Sequence, residues 1–255
     1  MNHAAPRLSL DRIAEAAAVI DPLFRDSPQL ECEPLSRALG AGLVLKVETL
    51  NPIRSFKGRG AHYYVRRLAD RTPLVVPSAG NFGQGLAHAA RVRGIPITVF
   101  AAETANPLKV ARMRAMAATV VLAGDDFDAA KALAKDEADR QGLRFIEDSR
   151  DPEPTEGAGT MALEWLSFPE RLDALFIPLG NGAMLAGMAT VIKARLPQTA
   201  VIAVAATGAP AMVESLQSGQ RVIHERIETI ADGIGVRIPV PEALTDLAGL
   251  VDEFV

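Results

Sequence analysis

Two spacings of apolar residues alternate along the chain. Short runs rich in Val, Ile and Leu occur at 43–47, 74–76, 97–100, 119–122, 143–146, 175–177 and 200–204. Between them lie longer stretches that read as helices, at 57–70, 82–93, 107–117, 125–140, 183–195 and 209–217. Short unbroken apolar runs suit strands buried on both faces of a sheet. In the stretch 125–140, Phe127, Ala130, Ala134 and Ala138 recur every three or four residues. Asp125 and Asp126 stand at its start, where the helix dipole favours acids. Strand–helix alternation predicts an α/β fold of mostly parallel open sheets with flanking helices. The turn-rich segment 149–156, Ser-Arg-Asp-Pro-Glu-Pro-Thr-Glu, is the expected crossover between domains.

Composition narrows the class. With 49% hydrophobic and 23% charged residues in 255, the chain has the apolar content of a folded protein of one large or two small domains. Lys plus Arg number 27 and Asp plus Glu 31, a net charge of −4 that argues against non-specific nucleic-acid binding. The single cysteine, Cys32, excludes an intrachain disulfide framework and a multi-cysteine zinc site, and its neighbours Glu31 and Glu33 argue against a nucleophile. Residues 1–10 lack an apolar stretch of signal-peptide length. The uncharged stretches 174–192 and 196–213 suggest membrane spans until their prolines, glycines and polar residues are counted. Pro178, Gly180, Asn181, Gly182 and Gly187 interrupt the first, and Pro197, Gln198, Thr199, Thr207, Gly208 and Pro210 the second. Both read as buried strand, turn and helix. The expectation is a soluble protein of a reducing compartment, the cytoplasm, with neither membrane nor nucleic acid as partner.

Ligands of such folds bind beyond the C-terminal ends of strands, where loops enter helices. Three of these loops carry candidate chemistry. The loop 51–60, Asn-Pro-Ile-Arg-Ser-Phe-Lys-Gly-Arg-Gly, puts Lys57 at a helix start. The helix dipole disfavours a cation there, and an uncharged amine is what imine formation requires; a solvated surface lysine is the alternative. The loop 77–85 holds Ser78, Ala79, Gly80, Asn81 and Phe82. Its small residues allow close backbone approach to a carboxylate; a helix cap by Ser78 or Asn81 is the plainer reading. The loop 178–185, with Gly180, Asn181, Gly182, Ala183 and Met184, can cradle a phosphate, although it fits neither common nucleotide motif. Together they suggest pyridoxal phosphate, which needs a lysine and a phosphate anchor.

The motifs carry a resemblance. The chain resembles the tryptophan synthase β family of pyridoxal-phosphate enzymes (fold type II), and within it the threonine/serine dehydratase branch, over about residues 40–255. Ser55-Phe56-Lys57-x-Arg59-Gly60 is similar to the cofactor-lysine motif, Ser78-Ala79-Gly80-Asn81 to the substrate-carboxylate loop, and 178–184 to the tetraglycine phosphate loop. Glu156-Gly157-Ala158-Gly159-Thr160 and Ala231-Asp232-Gly233-Ile234 resemble two further signatures. The resemblance implies that Lys57 holds the cofactor covalently and later moves protons. It implies that Asn81 meets the cofactor's 3-hydroxyl, that Phe56 and Ile234 line the ring, and that Gly180 through Met184 hold its phosphate. Ser78 through Phe82 would cradle the substrate carboxylate. The expected division is a large domain in two parts, 1–72 and 151–255, around a small domain at 73–150. The implied reaction is loss of water and then ammonia from threonine or serine to give a 2-keto acid, by a homodimer. The alternatives are another β-elimination or β-replacement, of cysteine synthase or ammonia-lyase type, or a non-catalytic cofactor-binding fragment.

The sequence departs from the pattern in places. Asn181 and Ala183 replace glycines and are expected to need permissive backbone angles. Phe82 stands where the family has histidine, and Ala205-Ala206-Thr207 lacks the carboxylate of an optional divalent-cation site, so no metal is expected. Racemases of the family have a serine where this chain has Ala79. Family members continue beyond a segment like 250–255, which implies that the hydroxyl partner of the cofactor nitrogen and a last strand lie further on. His62 and His88 are expected on a helix surface or in a second layer, His3 and His224 without metal-binding company, and Trp165 in the core.

Overall fold

Every strand of the two larger sheets is followed by a helix or ends the chain in the computed structural model, which describes residues 6–255. The elements run α1 (Leu10–Val19), β1 (Gln29–Glu31), α2 (Glu33–Leu39), β2 (Val44–Lys46), α3 (Lys57–Arg67), β3 (Leu74–Pro77) and α4 (Asn81–Arg93). There follow β4 (Ile97–Ala101), α5 (Pro107–Ala115), β5 (Thr119–Leu122), α6 (Phe127–Gln141), β6 (Arg144–Phe145) and α7 (Pro152–Trp165). The chain finishes with β7 (Ala174–Pro178), α8 (Ala183–Arg195), β8 (Ala200–Val204), α9 (Ala211–Ser218), α10 (Pro241–Leu247) and β9 (Glu253–Phe254). One parallel sheet has the order β5-β4-β3-β6 and another the order β7-β8-β9.

The stretch 43–47, expected in a parallel sheet, contributes β2 to a separate antiparallel pair with β1. Its burial is only partial, so it lacks the two covered faces that parallel strands have. The crossover segment 149–156 is shorter than its composition suggests, because α7 begins at Pro152. Proline at the first helical position has no amide to lose, so it starts the helix rather than breaking it. In α6 the face is carried by Ala130, Ala134 and Ala138, all buried, whereas Phe127 is exposed. Asp126 caps that helix by accepting from the Ala129 N–H at 2.9 Å.

The core under the three-stranded sheet joins Ile13, Met161 and Trp165 to Leu185, Val191 and Val201, and a second core around Leu86, Val99 and Met113 fills the four-stranded unit. Helix α7 lies centrally, packed on α1, α3 and α8. Glycines set those approaches. A Cβ on Gly157 would stand 2.4 Å from Gly60 Cα in α3, and a Cβ on Gly187 in α8 would stand 2.1 Å from the Thr155 carbonyl oxygen. The Gly157-Ala158-Gly159 run is therefore a packing device: it brings helix backbones together where any side chain would hold them apart.

Candidate active site

Lys57 is placed by a short polar turn. The Asn51 side-chain amide donates to the carbonyls of Glu48 and Ser55 at 2.8 and 3.0 Å, while its oxygen accepts from the Ile53 and Ser55 N–H groups at 3.2 Å. Ser55 Oγ then accepts from the Lys57 N–H at 3.3 Å. The turn delivers Lys57 as the first residue of α3, largely shielded, with Nζ 4.9 Å from the Phe56 ring centroid and 5.8 Å from that of Phe82. Its amine donates to Asp148 Oδ2 at 2.6 Å. Asp148 follows β6, and its other oxygen is buried without a partner. The next residue, Ser149, has φ +66° and an unpartnered buried hydroxyl.

In the loop between β3 and α4 the Ser78 hydroxyl oxygen is already an acceptor. Ser78 Oγ accepts from the N–H groups of Gly80 and Gly83 at 3.3 and 3.0 Å, so it satisfies a first-turn amide of α4 from outside the helix, while the N-cap position itself is Gly80 rather than Ser78 or Asn81. Ala79 contributes a methyl, and extended Gly80 leads into Asn81, whose side-chain oxygen accepts from Gln84 at 3.1 Å. Helix α4 sits against the start of α3: a Cβ on Gly85 would lie 3.0 Å from the Lys57 carbonyl oxygen. This is how Phe82, buried in the first turn of α4, reaches the lysine.

The loop between β7 and α8 turns on Gly182, at φ +92°. Asn181 and Ala183 are not among the positive-φ residues, so the strain expected of them does not arise. The first amides of α8, from Ala183 onward, lack carbonyl partners within the helix, as at any helix start. A Cβ on Gly180 would stand 3.2 Å from Ile234 Cα, which places Ile234 against this loop. Phe56 and Met184 pack on the same apolar cluster.

Between α3 and α4 lies a buried pair, His62 and His88, with ring nitrogens 2.9 Å apart and both rings against Phe24. They form an inner layer rather than a helix surface. Burial, and then the neighbouring His88, pushes His62 down to about 4. Arg59, two residues beyond Lys57, is fully buried and donates to Glu48 at 2.8 Å, to Glu164 at 3.0 Å and to Thr160 at 3.0 Å. Burial pushes the Glu164 carboxyl up, but its bonds to Arg59 and Lys46 outweigh that and hold it below the usual range. His224 pairs with Glu214 at 2.6 Å, Trp165 is core, and His3 lies outside the described residues. No group of three metal-ligating side chains occurs among the described residues.

The sequence reading identified Lys57, Phe56 and Phe82, which the fold assembles, and it missed Asp148. An acid just past the C-terminal end of a parallel strand was the available signal. The residues fit pyridoxal phosphate: an amine flanked by two aromatic rings suits its aldehyde and ring, and the glycine-led first turn of α8 offers amides to a phosphate.

Comparison with known proteins agrees. The model of the "Pyridoxal-phosphate dependent enzyme" family matches residues 20–255. The catabolic L-threonine dehydratase of Staphylococcus aureus is 32% identical over 252 residues, 97% of this chain and 73% of that protein. The L-threonine ammonia-lyase of Thermotoga maritima is also 32% identical, over 97% of this chain and 63% of its own length. Among solved structures, threonine deaminase isoform 2 of Solanum lycopersicum superposes with a TM-score of 0.87 at 31% identity, covering 98% of this chain and 76% of that one. Maize serine racemase gives a TM-score of 0.91 at 25% identity, covering 98% and 78%. With its lysine-bearing loop, its glycine-led helix start and a family match over nearly its whole length, the chain belongs to the pyridoxal-phosphate dependent enzymes.

Proposed function

We propose that this chain is a lyase that removes water and then ammonia from threonine or serine, leaving a 2-keto acid. The observation that carries the reading is the Lys57 amine, shielded at the start of α3 between the rings of Phe56 and Phe82. The names of the dehydratase, ammonia-lyase and deaminase relatives support it. Bound pyridoxal phosphate supplies an electron sink for the substrate's α-carbon. Lys57 would hold the cofactor through its Nζ and, once the substrate's own amine has displaced it, would take the α-proton on the freed Nζ. Amides from Gly180 through Met184 hold the phosphate, and Asn81 meets the 3-hydroxyl. Phe56 and Ile234 line the ring. Ser78, Ala79, Gly80, Asn81 and Phe82 receive the substrate carboxylate: the Ser78 and Gly80 N–H groups already donate to the Phe100 carbonyl and to Ser78 Oγ, so the donors left for it are the N–H groups of Ala79, Asn81 and Phe82 and the Ser78 O–H.

In the same proposal residues 73–150 form a small domain on a large domain built from 1–72 and 151–255, and the protein works in the cytoplasm as a homodimer. Exposed Leu30, Leu35, Leu39, Leu45 and Leu50, on and around the β1–β2 pair, offer apolar surface for a second copy. Light scattering reads the assembly directly.

The test of function has two arms. Protein loaded with pyridoxal phosphate is given L-threonine or L-serine and keto acid is measured. A second sample is reduced with borohydride and its peptides are mapped. Keto acid together with a pyridoxyl label on Lys57 is expected. Label on Lys46 or Lys109, or an inert protein labelled on Lys57, refutes the assignment or the reaction respectively.

A further inference from the structure

We propose that Asp148 is the counter-ion of the working lysine: it aims the Lys57 amine and stabilises it once it has taken a proton. The inference rests on the reading of Lys57 as the base. Asp148 Oδ2 accepts from Lys57 Nζ at 2.6 Å across 91 residues of sequence, joining the start of α3 to the end of β6. Both side chains are about five-sixths shielded, at 16% and 15% exposure. The other oxygen of Asp148 is buried and unpartnered, and so is the hydroxyl of Ser149, whose φ of +66° puts a non-glycine residue in the left-handed region. An orphaned carboxylate oxygen beside a strained backbone is costly to stability, and such costs concentrate at functional sites.

The electrostatics give the pair a direction. Before it acts, a lysine base is a neutral amine; after it takes the α-proton it is an ammonium. A carboxylate 2.6 Å away, with the ring faces of Phe56 and Phe82, stabilises only the second form. An interaction present after proton transfer and weak before it lowers the barrier to the transfer rather than tightening substrate binding. Asp148 touches neither α-carbon nor leaving group in this account; it is a positioning residue.

Asp148→Asn and Asp148→Glu are compared with wild type in two assays. In the cofactor-free protein at pH 8, trace acetic anhydride is applied and acetylation of the Lys57 peptide is followed by mass spectrometry. Asp148→Asn is expected to acetylate on the order of tenfold faster, because the ammonium has lost its counter-ion. In the loaded protein with threonine, kcat falls roughly tenfold to hundredfold in Asp148→Asn while KM stays within about twofold, and Asp148→Glu recovers part of kcat. Unchanged acetylation overturns the proposal. So does an equal loss of kcat in both variants that tracks their melting temperatures, since that marks a merely structural tie. If no form of the protein makes keto acid, the proposed reaction fails, and the acetylation result still decides whether Asp148 governs the Lys57 amine.

Discussion

Replacing Gly187 by alanine sets two physical effects against each other. Inside a helix, alanine is preferred over glycine by about 0.8–1 kcal/mol, so α8 considered alone gains. In the fold, the new methyl carbon stands 2.1 Å from the Thr155 carbonyl oxygen, against about 3.4 Å for ordinary contact, so α7 and α8 must separate by about 3.4 − 2.1 = 1.3 Å. The obstacle is backbone, which no rotamer change removes, and the helices share the core of Met161, Leu185 and Ala189. Overpacking costs ~1–3 kcal/mol where side chains can adjust, and here they cannot, so about 3–5 kcal/mol net is expected. For a domain of this size that lowers Tm by roughly 6–20 °C. Gly42→Ala is the control: nothing lies within 4 Å of its Cβ and its φ is not positive. It should be neutral or stabilising by up to about 1 kcal/mol. Urea and thermal unfolding of both variants measure the difference. A Gly187→Ala protein within about 1 kcal/mol of wild type would show that the helices are not held at backbone contact.

His62 titrates at about 4 in the fold against 6.5 when unfolded, so the unfolded chain binds its proton first and this histidine's contribution is lost as pH falls from about 6.5 to about 4. Asp151, pushed by burial up to about 6, acts in the opposite sense, so the comparison is with His62→Gln: the variant's Tm should fall less steeply over that range than wild type's. Arg59→Ala removes the buried cation shared by Glu48 and Glu164, leaving Glu164 only its pairing with Lys46 and a backbone N–H, and should cost about 3–5 kcal/mol by urea unfolding, with Arg59→Lys intermediate because lysine does not reproduce the fork. With Ala79 offering no proton donor, serine incubated with the loaded protein should give pyruvate and little D-serine by chiral chromatography; D-serine outpacing pyruvate would contradict this.

Where burial was extensive, the pattern of residues was enough. The stretch around 183–195 forms α8, and 97–100 falls within β4, because both are largely apolar stretches bounded by loop residues. Elements without a buried face left no such trace. Helix α2 buries nothing, and β1 is half exposed. Helix α7 was hidden for another reason: Pro152, Pro154 and its glycines are turn residues by composition, and only their places in the first turn and against Gly60 and Gly187 show why a helix keeps them. In the site, the place of Lys57 at a helix start left a solvated surface lysine as the alternative reading, and the resemblance of Ser55-Phe56-Lys57-x-Arg59-Gly60 to a cofactor-lysine motif is what singled it out. Asp148 had no such mark, since its importance depends on a contact between distant segments. The buried histidine pair was obscured likewise, because α3 is covered on more sides than its sequence period suggests.

The glycine contacts of α7 also determine how the site responds to damage. Helix α3 begins with Lys57 and α8 begins at the glycine-led loop, and both are gauged from the same central helix by main-chain atoms. The spacing between amine and loop is thus set by a ruler whose marks are peptide groups. Trimming a core side chain such as Ile13 or Met161 loosens the body around that ruler without changing its length. Such losses should appear as a protein that melts earlier but, while folded, binds its cofactor as before. A change at Gly60, Gly157, Gly159 or Gly187 moves the marks themselves, and there stability and chemistry should fail together.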